Sequence, residues 1–283
     1  MNIVYLDTVS INRIYELLNK KISLRKLKKY TYAISSCQID ELCLIESSGL
    51  RSQLVDFLFN ISDKKKLKDH IELMASETLY LLGVNKDLDY FDPKFREYND
   101  LLKLIIKQRV PDIVYQNFHN QMKHAKGIYK FEEKQTRTIF KPFFDLCSSI
   151  ETKKEFRVLY REMENEGLVS KFLFETLNFE KDYLRFNFNN VKERILQLDL
   201  TKLNCTYVGL QAKIAYSYLS CFERGKLSQL KDSDQVDVRH LFYLNYADIF
   251  VTDDEKMHKV TENMIVGIKV NVESTESFIN NYF

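Results

Sequence analysis

Five acidic residues carry the chemistry that this sequence can offer. Asp7 follows directly on a short apolar run, Ile3 to Leu6, and the pair Asp253-Asp254 closes a second run, Asp248 to Thr252. Glu41 stands about a turn and a half of helix beyond a third run, residues 30–35 (YTYAIS), and Asp237 opens the helical stretch that leads into the second. In an open parallel sheet, ligands gather at the carboxyl ends of the strands. If these runs are neighbouring strands, Asp7, Glu41, Asp237 and Asp254 converge on one edge. Unpaired carboxylates so placed repel one another and shift their pKa values. A divalent cation removes the conflict, and an all-oxygen ligand set selects Mg2+ or Mn2+ over zinc. Each acid also has a plainer reading as a helix cap. Asp253 competes with Asp254 for the fourth position and is kept as a candidate metal ligand, while Asp234 is the rival of Asp237.

The elements that must position these acids come from the two ends of the chain. Residues 3–6 read as a buried parallel strand, followed by a helix through Ile11, Ile14, Tyr15 and Leu18. Residues 30–35 give a second strand, and Ser35 or Ser36 caps a helix running from Gln38 with Leu42, Ile45, Leu54, Phe57 and Leu58 as its apolar positions. From 51 to 200 there is no convincing strand. Helical periods recur instead at 71–82, 97–107, 112–126, 132–149, 153–165, 168–178 and 189–198. The last eighty or so residues return to mixed character: helices over 207–222 and 237–246, strands over 248–252 and 264–270, and a closing helix over 274–282. The expectation is an α/β fold with a mostly parallel sheet of four or five strands. Its core is 1–50 plus 201–283, and 51–200 is a large all-helical insertion packed on it.

At this point four segments, YLDT (5–8), SSCQIDEL (35–42), DVRH (237–240) and ADIFVTDDEKM (247–257), resemble the signature elements of PIN-domain nucleases. The resemblance covers roughly 1–50 and 230–283. It implies a PIN-like three-layer domain in which Asp7, Glu41, Asp237 and Asp254 hold one or two metal ions, with His240 bracing the site. Thr8 and Thr252 would donate hydrogen bonds to the phosphate or to the ligating carboxylates. The activity it implies is that of a metal-dependent phosphodiesterase, an endoribonuclease cleaving RNA with metal-activated water. A PIN-like binding or scaffold module without catalysis, and a DNA-cleaving nuclease of a toxin or defence system, are the alternatives. Two departures stand out. Asp253 occupies a position where the family often has Asn or another polar residue, and the helical middle far exceeds the compact toxin-type members.

Composition narrows the rest. A formal net charge of +2 over 283 residues neither demands nor excludes a nucleic-acid partner, because local clustering matters more than the sum. The longest basic run is KKISLRKLKK at 20–29, where Lys20, Lys21, Arg25, Lys26, Lys28 and Lys29 are set out with no acid among them. It is either a solvated face or a phosphate-tracking patch near the acidic site. The resemblance, not the composition, implies RNA in preference to DNA as partner, and the helical insertion offers a surface for a protein partner or a second copy. The five cysteines contain no CxxC pair and read as buried thiols of a reducing cytoplasm. His119 and His124, five apart, make a poor single-face zinc pair. No Gly-rich phosphate loop is present, which argues against an ATPase. The N-terminal MNIVYLDTVS lacks the features of a secretion signal, and no segment approaches the roughly 18 uninterrupted apolar residues of a membrane span.

Overall fold

The computed structural model describes residues 3–18, 22–62, 66–146, 153–223 and 232–283, with the main chain alone at 119, 121–129, 133, 137, 143–146, 220–223, 232 and 233. Lys20, Lys21 and Cys147 lie outside the described residues, as do the side chains of His119, His124 and Cys221.

The elements run β1 (Ile3–Leu6), α1 (Thr8–Leu17), α2 (Leu24–Leu27), β2 (Thr31–Tyr32), α3 (Ser36–Leu44), α4 (Ser48–Ile61), α5 (His70–Leu81), α6 (Phe95–Ile106) and α7 (Asp112–Leu146). They continue with α8 (Lys153–Asn165), α9 (Leu168–Phe179), α10 (Lys181–Leu184), α11 (Lys192–Leu196), α12 (Asn204–Glu223), α13 (Asp232–Leu241), β3 (Ile249–Val251), α14 (Glu255–Asn263), β4 (Asn271–Glu273) and α15 (Thr275–Tyr282). The four strands form one all-parallel sheet in the order β2-β1-β3-β4. Both ends of the chain therefore contribute to one sheet, as expected. Among the described residues 51–200 contain no strand, only isolated bridges that pair Lys66 with Ile34 and Leu67 with Phe91.

The sheet separates two apolar layers because strand side chains alternate between its faces. Val4, Leu6, Tyr32, Ile249 and Val251 pack with Ile11 and Ile14 of α1, Leu42 of α3, Leu54 and Leu58 of α4, Phe95 of α6 and Phe278 of α15. Tyr5 and Phe250 point the other way, into a larger core that takes in α5, α7, α8, α9, α12, α13 and α14. The helices of 51–200 thus divide between the two faces. The boundary at 50/51 falls inside α4, and that at 200/201 falls inside a 3-10 turn, Leu200–Lys202. Gly209 of α12 is needed for close approach: a Cβ there would run into the Phe242 ring just beyond α13.

Several expected elements are corrected. The β-branched run 264–270 is not a strand, and β4 comes just after it. Ile265 N closes α14 by bonding Val260 O, and Gly267 turns at φ +79°. Gln211 of α12 meets both main-chain groups of Val266 at 2.9 and 3.0 Å, taking the pairing that a strand neighbour would supply. The helix expected from Gln38 through Leu58 breaks in two, since Ser47 caps a new helix, α4. The two helices read at 112–126 and 132–149 are one, α7, with Pro142 inside it. The helix read as Asp237–Tyr246 starts earlier, at Asp232, so Asp237 lies mid-helix. No helix among the described residues is long and apolar enough to cross a membrane.

Candidate active site

Asp7 ends β1 and starts α1. Its main-chain N–H donates to Val251 O of β3 at 3.0 Å, which carries the sheet one residue past Leu6. Its carboxylate caps the helix, Oδ1 accepting from Ser10 N at 2.7 Å and Oδ2 accepting from the Thr252 hydroxyl at 2.5 Å. That hydroxyl in turn accepts from Asp254 N at 3.1 Å. One threonine therefore links the acid after β1 to the acid after β3. Asp254 caps α14, accepting from Met257 N at 2.7 Å. Burial pushes the Asp7 carboxyl above its ordinary pKa, against the hydrogen bonds from Thr252 and Ser10.

Glu41 reaches the same edge from α3. The Thr8 hydroxyl donates to it, and His240 Nε2 lies 2.8 Å from its Oε2. The other ring nitrogen of His240 lies 2.7 Å from the Tyr5 hydroxyl, which is 2.6 Å from Ser35 Oγ. Ser35 and Gln38 form a capping box at the start of α3, and Gln38 Nε2 donates to Leu6 O at 2.5 Å. This run of hydrogen bonds fixes α3 and α13 against the end of β1. Burial disfavours the charged imidazole, but Glu41 outweighs it, with Asp7 and Asp237 adding, so the His240 pKa is raised. For Glu41 burial works upward and the His240 charge and hydrogen bond more than reverse it, so its pKa is lowered. Nε2 can donate to Glu41 in either protonation state, while Nδ1 donates to the Tyr5 hydroxyl when the ring is charged and accepts from it when the ring is neutral.

Asp237 sits one helical turn before His240. Burial, then the nearby Asp254 charge, push it up to about 7, with Glu41 and Asp234 adding and His240 opposing. At neutral pH this carboxyl is therefore held near the midpoint of its titration. Asp234, Asp237 and His240 are spaced three apart on α13 and share a face.

The two competing acids are engaged elsewhere. Asp253 pairs with Arg13 at 2.9 Å and accepts from Thr275 N at 3.0 Å, with the Thr275 hydroxyl also donating to it. Asp234 pairs with Lys256 at 2.9 Å. The edge thus keeps Asp7, Glu41, Asp237 and Asp254, with His240 the one cation bonded within the group among the described residues.

The basic run does not join this group. Two parallel strands need a crossover that returns the chain to the starting edge. Thr31 of β2 pairs with Ile3, the first residue of β1, so the described part of the run, residues 22–29, precedes the strand at its amino end. Asp7 lies at the carboxyl end. Lys26 donates to the main-chain oxygen of Phe283, which fixes part of the run to the C-terminal segment. The expectation that the patch lies close to the acidic site is corrected for Arg25, Lys26, Lys28 and Lys29.

Sequence reasoning missed Tyr5, whose position opposite Val4 and Leu6 in the strand alternation was the available signal. It also missed Arg239, which bonds Asp40 at 2.8 Å beside the Glu41–His240 pair, so that two consecutive residues of α3 meet two consecutive residues of α13.

Among the described residues no group of three or more His, Cys, Asp or Glu side chains is set in place to hold a metal ion. The donor chemistry nevertheless fits a hard divalent cation: oxygen donors only, with one carboxyl pushed up first by burial and then by the nearby Asp254 charge. No protein family matches the chain, and no curated protein or solved structure matches it either.

Proposed function

We propose that this chain is a PIN-like, divalent-metal-dependent nuclease, acting on RNA in preference to DNA. The observation that carries the reading is a surplus of negative charge gathered from four separate segments at the carboxyl edge of a parallel sheet. It is marked by Asp237, whose pKa is pushed up to about 7. Asp7, Glu41, Asp237 and Asp254 would hold Mg2+ or Mn2+, which when bound supplies positive charge to a phosphodiester and lowers the pKa of a ligated water. The chain's own residues do the positioning. Thr252 orients Asp7 and the loop before Asp254, Thr8 and His240 orient Glu41, and Tyr5 holds the far side of the imidazole. The contacts of His240 with Glu41 and Tyr5 support reading it as a brace and not as a proton-transfer group. The preference for RNA rests on the resemblance of the four motifs.

The test is cleavage of labelled single-stranded RNA and DNA by purified protein with Mg2+, Mn2+ or EDTA. The reading requires cleavage with metal and none with EDTA. Equal activity in EDTA, or none in any metal, would remove it.

A further inference from the structure

If the carboxylate edge grips a scissile phosphate, as the reading above has it, the phosphates on either side need partners, and the basic run lies at the other end of the strands. Two cations are tied to acids that adjoin this edge, Asp234 and Asp253. Lys256 is held by Asp234, lies 4.9 Å from the Tyr216 ring centroid and has a side chain only 20% exposed. Arg13 differs: its side chain is 56% exposed, while that of its partner Asp253 is 9% exposed. Helical side chains lean toward the helix N-terminus. Arg13 accordingly reaches back along α1 to Asp253, the residue next to Asp254. Asp253 is itself pinned by the main chain and hydroxyl of Thr275. The guanidinium therefore has a fixed orientation on one side and an open face on the other, and it carries five donors in a planar fork suited to phosphate.

Arg13 also heads a groove of about 410 Å³ between α1 and α15, walled by the apolar Leu17 and Ile279 and by Asn280, with Glu276 beside Thr275 in the first turn of α15 and Glu16 one turn beyond Arg13 on α1. One cation accompanied by two acids cannot track the phosphates of a duplex. It suits a single phosphate, with an unstacked base or sugar against the apolar wall.

We propose that Arg13, oriented by Asp253 at the head of the α1–α15 groove, binds a phosphate flanking the scissile one in a single-stranded nucleic acid. Asp253 is then a positioning residue and not a metal ligand.

The experiment is fluorescence anisotropy of a labelled single-stranded RNA on the intact protein with Ca2+ across a salt series, with cleavage in Mg2+ measured on the same preparations. Arg13→Gln is expected to weaken binding about tenfold. It should also make the slope of log K against log salt shallower by one contact, roughly 0.7 for a single strand. Arg13→Lys should restore the slope with only part of the affinity. Asp253→Asn should weaken binding less than Arg13→Gln and leave the slope as it is. Wild-type affinity and slope in Arg13→Gln, while the wild type cleaves, would overturn the subsite and spare the nuclease reading. A wild type that neither cleaves nor binds RNA would overturn both.

Discussion

Two groups of buried charge meet on α13, and they differ in how they are balanced. One is a chain of alternating sign. Lys213 lies 2.5 Å from Glu132, Glu132 3.3 Å from His70, His70 3.1 Å from Asp69, Asp69 3.7 Å from Arg239, and Arg239 2.8 Å from Asp40. Burial alone would neutralise these groups, but alternation defeats it. His70 is raised to about 9 against burial by Asp69 and Glu132, and Glu132 is lowered to about 2 against burial by Lys213 and His70. Only at Asp40, the last link, does burial win over Arg239 and raise the pKa. The other group is the carboxylate edge, where Glu41 bonds His240, Asp7 and Asp237 act on the same imidazole, Asp254 acts on Asp237, and burial prevails at Asp7 and Asp237. The first cluster completes itself and ties α5, α7, α12, α13 and α3 together. The second is left short of positive charge, which is the condition of a site that takes a cation from outside.

The largest effect should come from breaking the unbalanced group. Asp7→Asn should lower metal-dependent cleavage by about 10⁴-fold, on the order of 5 kcal/mol of lost transition-state stabilisation. Its resistance to urea should be unchanged or higher, since a carboxylate that burial disfavours has been removed. Breaking the balanced group should do the opposite. Glu132→Gln leaves Lys213 and His70 without their shared carboxylate and should cost about 3–5 kcal/mol in urea unfolding. Protein that remains folded should keep its metal dependence. Smaller effects separate the adjacent acids: Asp254→Asn should reduce cleavage about a hundredfold. Asp253→Asn should change stability by no more than about 1 kcal/mol, because its ion pair with Arg13 is largely exposed on the arginine side.

The pH dependence distinguishes the groups further. Asp237 has a folded-state pKa above its ordinary value, so the folded chain holds more protons than the unfolded one, and this residue's contribution falls as pH rises from about 4 to about 7. Glu132 works the other way: its contribution is present above its ordinary pKa and is lost as pH falls toward about 2. The contribution of His70 is full below about 6.5 and is lost as pH rises through about 9. Melting temperatures across pH 4 to 6, where the His70 contribution is full, should therefore show a decline that Mn2+ or Asp237→Asn flattens and that Glu132→Gln leaves in place. The smallest effect, close to none, is expected from neutralising Arg25, Lys28 and Lys29, with RNA affinity and its salt slope as readouts.

Much of this was legible where local pattern governs. The runs ending at Leu6 and Thr252 read as buried strands, and parallel pairing then puts Asp7 and Asp254 on one edge. The other two acids, Glu41 and Asp237, were marked by the resemblance of SSCQIDEL and DVRH to the PIN-domain signature elements. What failed to show depended on tertiary packing. In the run 264–270 the β-branched composition was right for a strand, but the side chain of Gln211 took its hydrogen bonds. Glu132 and His70 look like any charged residues on helical periods, and nothing local says that they face inward toward Lys213. The misplaced basic run had a readable cue, since a crossover between parallel strands must begin and end at opposite edges.

The central claim is that the carboxylate edge lacks a positive charge which a divalent ion supplies. Calorimetric titration of the intact protein with Mn2+ near pH 7 tests it most directly. Binding should be accompanied by proton release, because Asp237 is partly protonated there and must ionise to bind. It should be lost in Asp7→Asn and Asp237→Asn and retained in folded Glu132→Gln. No Mn2+ binding by the wild type, or equal binding by all four proteins, would contradict the account.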